Sequence, residues 1–257
     1  MDESNPVATP MDINIKLSKE MSPKSSEEEK EMAKIPYQQA IGSLLFAAQC
    51  TRPDICFTVK KLSKFNNCPG KEHWTAVKRL FRYLKGTKSA KLKFSRNRNP
   101  EFQIYSDSDW ANDCDERRSV TGYVCMLQGG AVSWATKHQP TVALSTTEAE
   151  YMAFSASTQE AMWIRGLESE LNHNLNNSVV NIYCDNKSAI HLSSTSKYLS
   201  RSKHIDVRHH FIREKKNMNI ISFIGIGTES MVADYFTKPV STEKHNICSN
   251  NMGLRLR

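Results

Sequence analysis

Asp107 in YSDSDWAND, Glu150 in STTEAEYMA, Asp185 in IYCDNKSAI and Asp234 in ESMVADYF lie far apart in a chain of 257 residues. Each stands where a strand ends or a helix begins. Acidic side chains gathered from distant segments onto one sheet edge repel one another, and they persist mainly where divalent cations neutralise them. The chemistry this pattern points to is phosphodiester cleavage assisted by two metal ions.

The elements that must position these groups are legible in outline. Strand-like runs are expected at about 101–107, at 119–127 with Gly122 inside it, and at 131–137. A long helix is expected from about Thr146 to Leu171, with Ser157 a potential break and Ala149, Met152, Ala153, Ala156, Trp163, Ile164 and Leu167 as its apolar stripe. A strand at 179–184, a short helix after Asp185, a helix across 204–216, a strand at 219–224 and a helix from about Glu229 complete the order. Three strands followed by alternating helices and strands indicate an α/β domain with a mixed sheet.

Ahead of it the texture is helical and basic. Pro36 suits a first helical turn with Ile41, Leu44, Leu45 and Ala48 on one face, and Pro53 starts a second helix with Val59, Leu62 and Phe65. A third runs from about Lys71 to Lys85 and stops at Gly86. Its Trp74, Val77, Phe81 and Leu84 recur at core spacing, while Lys78, Arg82 and Lys85 share a basic face. Between Arg52 and Arg98 there are 14 Lys or Arg and two acids, a net +12 in a chain whose total is +8. A cationic block beside an acidic one suits a nucleic-acid enzyme, the first holding phosphates and the second metal. Charge alone does not separate this from a solvated basic surface.

Residues 1–35 carry little apolar periodicity and are expected as a flexible lead-in. SRNRNPE reads as a polar joint. No run approaches the roughly 18 apolar residues of a membrane span, and polar and acidic residues follow Met1 in place of a signal peptide, so a soluble intracellular protein is expected, its compartment unresolved. The seven cysteines are scattered without a C-x-x-C pair, which argues against a disulfide framework and a structural zinc site.

From about Tyr37 onward the chain resembles the end of the Pol polyprotein of Copia-type (Ty1/copia) retrotransposons. The resemblance rests on IGSLLFAAQCTRPDI at 41–55, PGKEHWTAVKRLFRYLKGT at 69–87, YSDSDWA at 105–111, SVTGYV at 119–124, VSWATKHQPTVALSTTEAEYMA at 132–153, IYCDNKSAI at 182–190, KHIDVRHHFIRE at 203–214 and ADYFTKP at 233–239, with TPMD at 9–12 ahead of them. It implies a ribonuclease H domain over 99–240, with an RNase H-like mixed five-stranded sheet flanked by helices. This would follow a helical region over 36–98 that resembles the end of reverse transcriptase, and a tail over 241–257 would close the chain. The implied activity is cleavage of the RNA strand of RNA–DNA hybrids with two Mg²⁺, or Mn²⁺, leaving 3′-hydroxyl and 5′-phosphate ends.

Asp107 and Asp109 share strand parity, so alternation does not separate them. Asp107 ends the strand and matches the family's Tyr-x-Asp motif. Glu148 fits a capping box with Ser145, whereas Glu150 matches the family's Ala-Glu-x-x-Ala motif. Asp185 has the alternative role of a helix cap, which Asn186 beside it could fill. Asp234 alone reads as a dipole complement at a helix start, and the resemblance makes it the fourth ligand. Asp107 would bridge both ions, with Glu150 and Asp185 on one and Asp234 on the other.

One departure from many ribonucleases H is the loop GIGTESMV before Asp234, which carries no histidine; slower turnover or a substitute group is expected. His204, His209 and His210 lie on a separate expected helix, with packing or substrate-backbone contact preferred to catalysis and no arrangement completing a zinc site. Nothing resembles the Tyr-x-Asp-Asp turn of a polymerase palm, so this chain is not expected to make DNA, and the polymerase part of Pol is a candidate partner. Two rival functions are a non-catalytic nucleic-acid-binding remnant of a truncated or co-opted element, and a strand-transfer enzyme on the same fold.

Overall fold

The computed structural model describes residues 3–96, 101–171, 179–194 and 206–256. Four helices form the first half: α1 (Ser26–Ala33), α2 (Tyr37–Cys50), α3 (Cys56–Ser63) and α4 (Lys71–Gly86). Pro36 stands immediately before α2, and Pro53 opens a 3-10 turn, Pro53–Ile55, that leads into α3. Both prolines supply a φ already suited to a first helical turn. Tyr37, Ile41, Leu44, Ala48, Val59, Leu62, Val77, Leu80 and Tyr83 build one core, with Trp74 and Phe81 packed partly buried at its edge. Leu45, expected on that face, is instead 37% exposed, because it lies about 100° round the helix from Leu44.

The expected flexible lead-in is docked. Met11, Leu17 and Met32 are buried in or beside the helical core. Ser22 Oγ donates to Cys68 O at 2.7 Å, and Lys19 N donates to Asp115 Oδ1 at 2.9 Å, tying the segment to both halves of the molecule. Three isolated anchors have no periodicity to read, which is why composition suggested a loose leader.

The second half is built on β2 (Gln103–Asp109), β3 (Val120–Leu127), β4 (Gly130–His138), β5 (Val180–Cys184) and β6 (Ile221–Gly225), after a short β1 (Lys91–Leu92). The sheet order is β4-β3-β2-β5-β6, with β2–β3 and β3–β4 antiparallel and β2–β5 and β5–β6 parallel. This is the mixed five-stranded sheet expected. Helix α5 (Thr146–Glu170) covers one face, packing Tyr151 and Phe154 against Ile104, Tyr123, Cys125 and Ile182. Each such fully buried side chain contributes roughly 1.5–3 kcal/mol. Helices α6 (Lys187–Ser194) and α7 (Asp206–Asn217) complete that layer. On the opposite face Val124, Met126 and Ala131 meet Val232, Tyr235, Phe236 and Met252.

Helix α5 does not break at Ser157, whose hydroxyl donates to Ala153 O at 3.0 Å while the helix continues. Trp163 and Leu167, expected in its apolar stripe, are 61% and 42% exposed. At 1.5 Å per residue α5 is roughly 37 Å long. Trp163 lies about 100° and Leu167 about 60° round the helix from Ile164, which is buried in the sheet core, so both fall to one side of the covered stripe. The helix expected from Glu229 is two short 3-10 turns, Thr228–Ser230 and Val232–Phe236. Pro239 disfavours α conformation in the residue before it and closes this stretch.

Helix α8 (Thr242–Asn251), capped by Ser241, and β7 (Leu254–Arg255) then return the chain to the helical half. Strand β7 pairs antiparallel with β1. His245 of α8 meets Tyr83 of α4 edge-on at 5.3 Å, and Trp134 Nε1 of β4 donates to Ala48 O of α2 at 2.8 Å. Among the described residues no helix is long and apolar enough to cross a membrane.

Leu17 is 1% exposed, so Leu17→Ala is expected to cost about 2–5 kcal/mol in urea unfolding. A loss below about 0.5 kcal/mol would mean the leader is not packed in solution.

Candidate active site

Strand β2 presents Asp107 near its C-terminal end, directly opposite Gly122 of β3. Ile104 and Ser106 point to the α5 layer; Tyr105, Asp107 and Asp109 point to the other face. Gly122 is what makes that face usable. A Cβ there would lie 2.7 Å from Phe236 Cβ and 2.6 Å from Thr237 Cγ2, so the bare strand admits the segment that carries Asp234. Thr237 Oγ1 donates to Asp107 Oδ2 as a result.

Glu150 reaches the same point from the start of α5. Ser145 accepts from Glu148 N at 3.2 Å, and Glu148 Oε2 accepts from Leu144 N at 2.8 Å, so Glu148 has the capping role and fixes the helix start. Two residues on, Glu150 Oε1 accepts from Ser108 N of β2 at 3.3 Å. Asp185 follows β5, and Asn186 Oδ1 accepts from Ala189 N at 3.0 Å, so the neighbour caps α6 and leaves Asp185 to the site. Thr228 Oγ1 donates to Asp185 Oδ2 at 3.0 Å.

Asp107, Glu150 and Asp185 thus offer carboxylate oxygens that all lie within 4.8 Å of one another. Asp234 stands beside this trio in another state of compensation. Lys238 Nζ is 2.7 Å from Asp234 Oδ1 and 4.0 Å from Asp107 Oδ2. Lys244 Nζ is 3.4 Å from Asp234 Oδ2 and also donates to the carbonyls of Thr228 and Glu229, in the loop that lacks histidine. Sequence reasoning missed Thr237, Lys238, Lys244 and Gly122. A glycine inside a strand is itself a sign of close backbone approach, and Thr237 and Lys238 stand inside the ADYFTKP motif.

Burial pushes the Asp107 carboxyl up; Lys238 pulls it back, and Asp234 and Asp185 add to the rise. Burial, followed by the charges of Asp107 and Asp185, pushes Glu150 well up. Crowded, hard oxygen donors whose charge the protein compensates only in part, through Lys238, fit a divalent cation such as Mg²⁺ or Mn²⁺. Among the described residues no thiolate or imidazole completes the trio, so the donor set does not favour a softer metal.

Asp109 is separated from Asp107 by its surroundings. Asn112 Nδ2 donates to its Oδ2 at 2.6 Å, and it faces α3. Of the basic face expected on α4, Lys78 is exposed, while Arg82 Nε donates to Asn5 O at 2.6 Å and Lys85 Nζ to Ser4 O at 2.9 Å. The lead-in therefore lies across part of it. His209 is buried with its ring centroid 4.0 Å from that of Tyr151, a packing role. His204 lies outside the described residues.

Two outcomes follow from this geometry. Gly122→Val should cost about 1–3 kcal/mol in urea unfolding by forcing the Phe236–Thr237 backbone off the sheet. A variant as stable as the native protein would refute the close approach. Raised carboxyls mean that the unfolded chain ionises first as pH climbs, so cation-free stability should fall from about pH 4 upward until the folded carboxyls have ionised. In Asp107→Asn that decline should be shallower. Divalent cation at 100 times its Kd should raise native stability by about 2.7 kcal/mol and do less for the variant. Denaturation curves at pH 5, 6.5 and 8, with and without Ca²⁺, decide it.

No family model matches the chain. It is 45% identical over 254 residues to the retrovirus-related Pol polyprotein from transposon TNT 1-94 of Nicotiana tabacum, covering 99% of this chain and 19% of that protein. With the polyprotein from transposon RE2 of Arabidopsis thaliana it shares 35% over 251 residues, covering 98% and 17%. The chain therefore spans about one fifth of the length of these curated relatives. Among solved structures, a foamy viral protease–reverse transcriptase in complex with double-stranded DNA aligns with TM-score 0.50 at 13% identity, covering 79% of this chain and 35% of that one, a likeness of fold alone. Motif order, sheet topology and similarity over nearly the whole chain agree: the chain resembles a part, about one fifth of the length, of the Copia-type retrotransposon Pol polyproteins, and carries an RNase H-like mixed five-stranded sheet.

Proposed function

We propose that this chain cleaves the RNA strand of RNA–DNA hybrids as the ribonuclease H portion of a retrotransposon Pol polyprotein. The observation that carries the reading is the convergence of Asp107, Glu150 and Asp185 from β2, α5 and the end of β5. These three, with Asp234, would hold two Mg²⁺, or Mn²⁺. Bound there, divalent cations supply acidification of the attacking water and charge stabilisation of the leaving 3′ oxygen.

The chain's own groups would do the rest. Ser108 N and Thr237 Oγ1 orient the carboxylates of Glu150 and Asp107. Lys238 and Lys244 hold Asp234 close to them, and Lys244 pins the loop at Thr228 and Glu229 where other ribonucleases H carry a histidine. No protein nucleophile is required, because the attacking group is water. Selection of the RNA strand would come from contacts to 2′-hydroxyls, which DNA lacks. Lys78, Arg82 and Lys85 would hold the hybrid backbone once Asn5 and Ser4 release the last two, and the polymerase part of Pol would be the partner that supplies the hybrid.

Purified protein with Mg²⁺ should cut labelled RNA in a hybrid and spare the DNA strand. Asp107→Asn and Asp185→Asn should each lower the rate by at least about 100-fold, more than loss of a supporting contact, with the far-ultraviolet spectrum unchanged. Hybrid binding without cleavage in Mg²⁺ and Mn²⁺ would replace this reading with a passive nucleic-acid-binding remnant.

A further inference from the structure

Besides Lys238 and Lys244, which pair with the carboxylates themselves, cations approach the candidate centre from α3. Phe57, Thr58, Val59 and Leu62 bury one side of this short helix, which turns Lys60 and Lys61 to the other. Just beyond its end, Lys64 is ion-paired with Asp113 and with Asp115, the latter at 2.6 Å. That clamp fixes α3 against the 110–119 loop that follows β2. Between them is a cavity of about 20 Å³ lined by Lys60, Lys61, Asp109, Asn112, His138 and Thr237, among others. Thr237 is the residue whose hydroxyl donates to Asp107, so this cavity and the carboxylate cluster share a wall.

The charges around it are unevenly matched. Asp113 is taken by Lys64, and Asp109, held by Asn112, answers only one of the two remaining lysine charges. Among the described residues neither Lys60 nor Lys61 forms an ion pair; Lys60 is exposed and Lys61 half-buried. Burial first, and then the charges of Lys61 and Lys60, oppose protonation of His138, so that ring adds no further positive charge. The space holds about one oxygen atom, too little for a base or a sugar. A duplex carries one negative charge per roughly 1.7 Å of its axis, and the neighbouring carboxylates repel such a polymer unless cations flank them.

We propose that Lys60 and Lys61 bind one backbone phosphate of the nucleic acid whose scissile bond lies at Asp107, Glu150 and Asp185, which makes the helical half part of the substrate site. This rests on the hybrid-cleavage reading for the identity of the polymer, yet it is testable without cleavage.

The experiment measures fluorescence-anisotropy affinity of the whole chain for a labelled RNA–DNA hybrid in Ca²⁺ between 50 and about 200 mM salt, the range over which phosphate contacts are read out. Lys60→Gln with Lys61→Gln should flatten the slope of log affinity against log salt by about one unit, and Lys60→Gln alone, at an exposed position, by a measurable part of it. A scan of single methylphosphonate linkages should find one position, at a fixed spacing from the cleavage point, whose neutralisation weakens the native protein about tenfold and leaves the double variant unaffected. An unchanged slope together with an unchanged scan in both variants, each with native urea midpoints, would overturn the proposal while leaving cleavage intact. Flattened slopes in a protein that cuts nothing would keep the phosphate site and remove the ribonuclease reading. A native protein that binds no hybrid would overturn both.

Discussion

Three carboxylates with oxygens within 4.8 Å of one another in a buried place are the constraint that the rest of the domain serves. Left alone, like charges this close are unfavourable, and burial first, then the neighbouring carboxylates, push Asp107 and Glu150 up. A fold does not arrive at such a cluster by optimising packing. It requires strand, helix and loop ends to be held tightly enough that repulsion does not open them. The antiparallel register of β2 with β3, the cap formed by Ser145 and Glu148, and the Asn186 cap on α6 are the devices that hold them.

Within that arrangement the fourth carboxylate is treated differently. Asp234 is carried by a 3-10 turn whose approach depends on the missing side chain at Gly122, and it is compensated by Lys238 and Lys244. Part of the acidic centre is therefore neutralised by the protein and part is not. A divalent cation would find the Asp107, Glu150 and Asp185 side open to coordination and the Asp234 side occupied by ammonium groups. Affinity on the two sides of Asp107 should differ for that reason, since a cation on the second side competes with Lys238 at 2.7 Å.

Much of the sheet could be read from the chain because its strand-like runs and the Ser145 cap of the long helix were marked in the sequence; that helix was expected to end at about Leu171 and ends at Glu170. The distinction between Asp107 and Asp109 was not available from alternation, since both face the same side. It came from what surrounds them, Thr237 and Lys238 at one and Asn112 at the other. Glu148 and Glu150 were separable in the sequence because capping chemistry has a fixed spacing. The misplacements have physical causes of the same kind. Met11 and Leu17 anchor the leader as single residues, and Trp163 and Leu167 lie to one side of the buried line that includes Ile164.

The basic block shows most clearly why composition stops short of a site. Its charge was visible in the sequence, but which cations matter depends on what the fold lays over them. Arg82 and Lys85 on α4 hold carbonyls of the leader, and Lys64 is consumed by Asp113 and Asp115. Lys60 and Lys61 remain beside the wall shared with Asp107. The joint between the halves is itself polar and buried: Arg52 and Tyr83 both bond Asp54, Tyr83 meets His245 edge-on, and His245 bonds Tyr235 next to Asp234. Because every link in that chain except the half-buried Arg52 is buried, a loss at Asp54 or His245 leaves an unmet polar group in the interior. The helical half is thereby coupled to the position of the fourth carboxylate, and through Lys60 and Lys61 it faces the wall shared with Asp107.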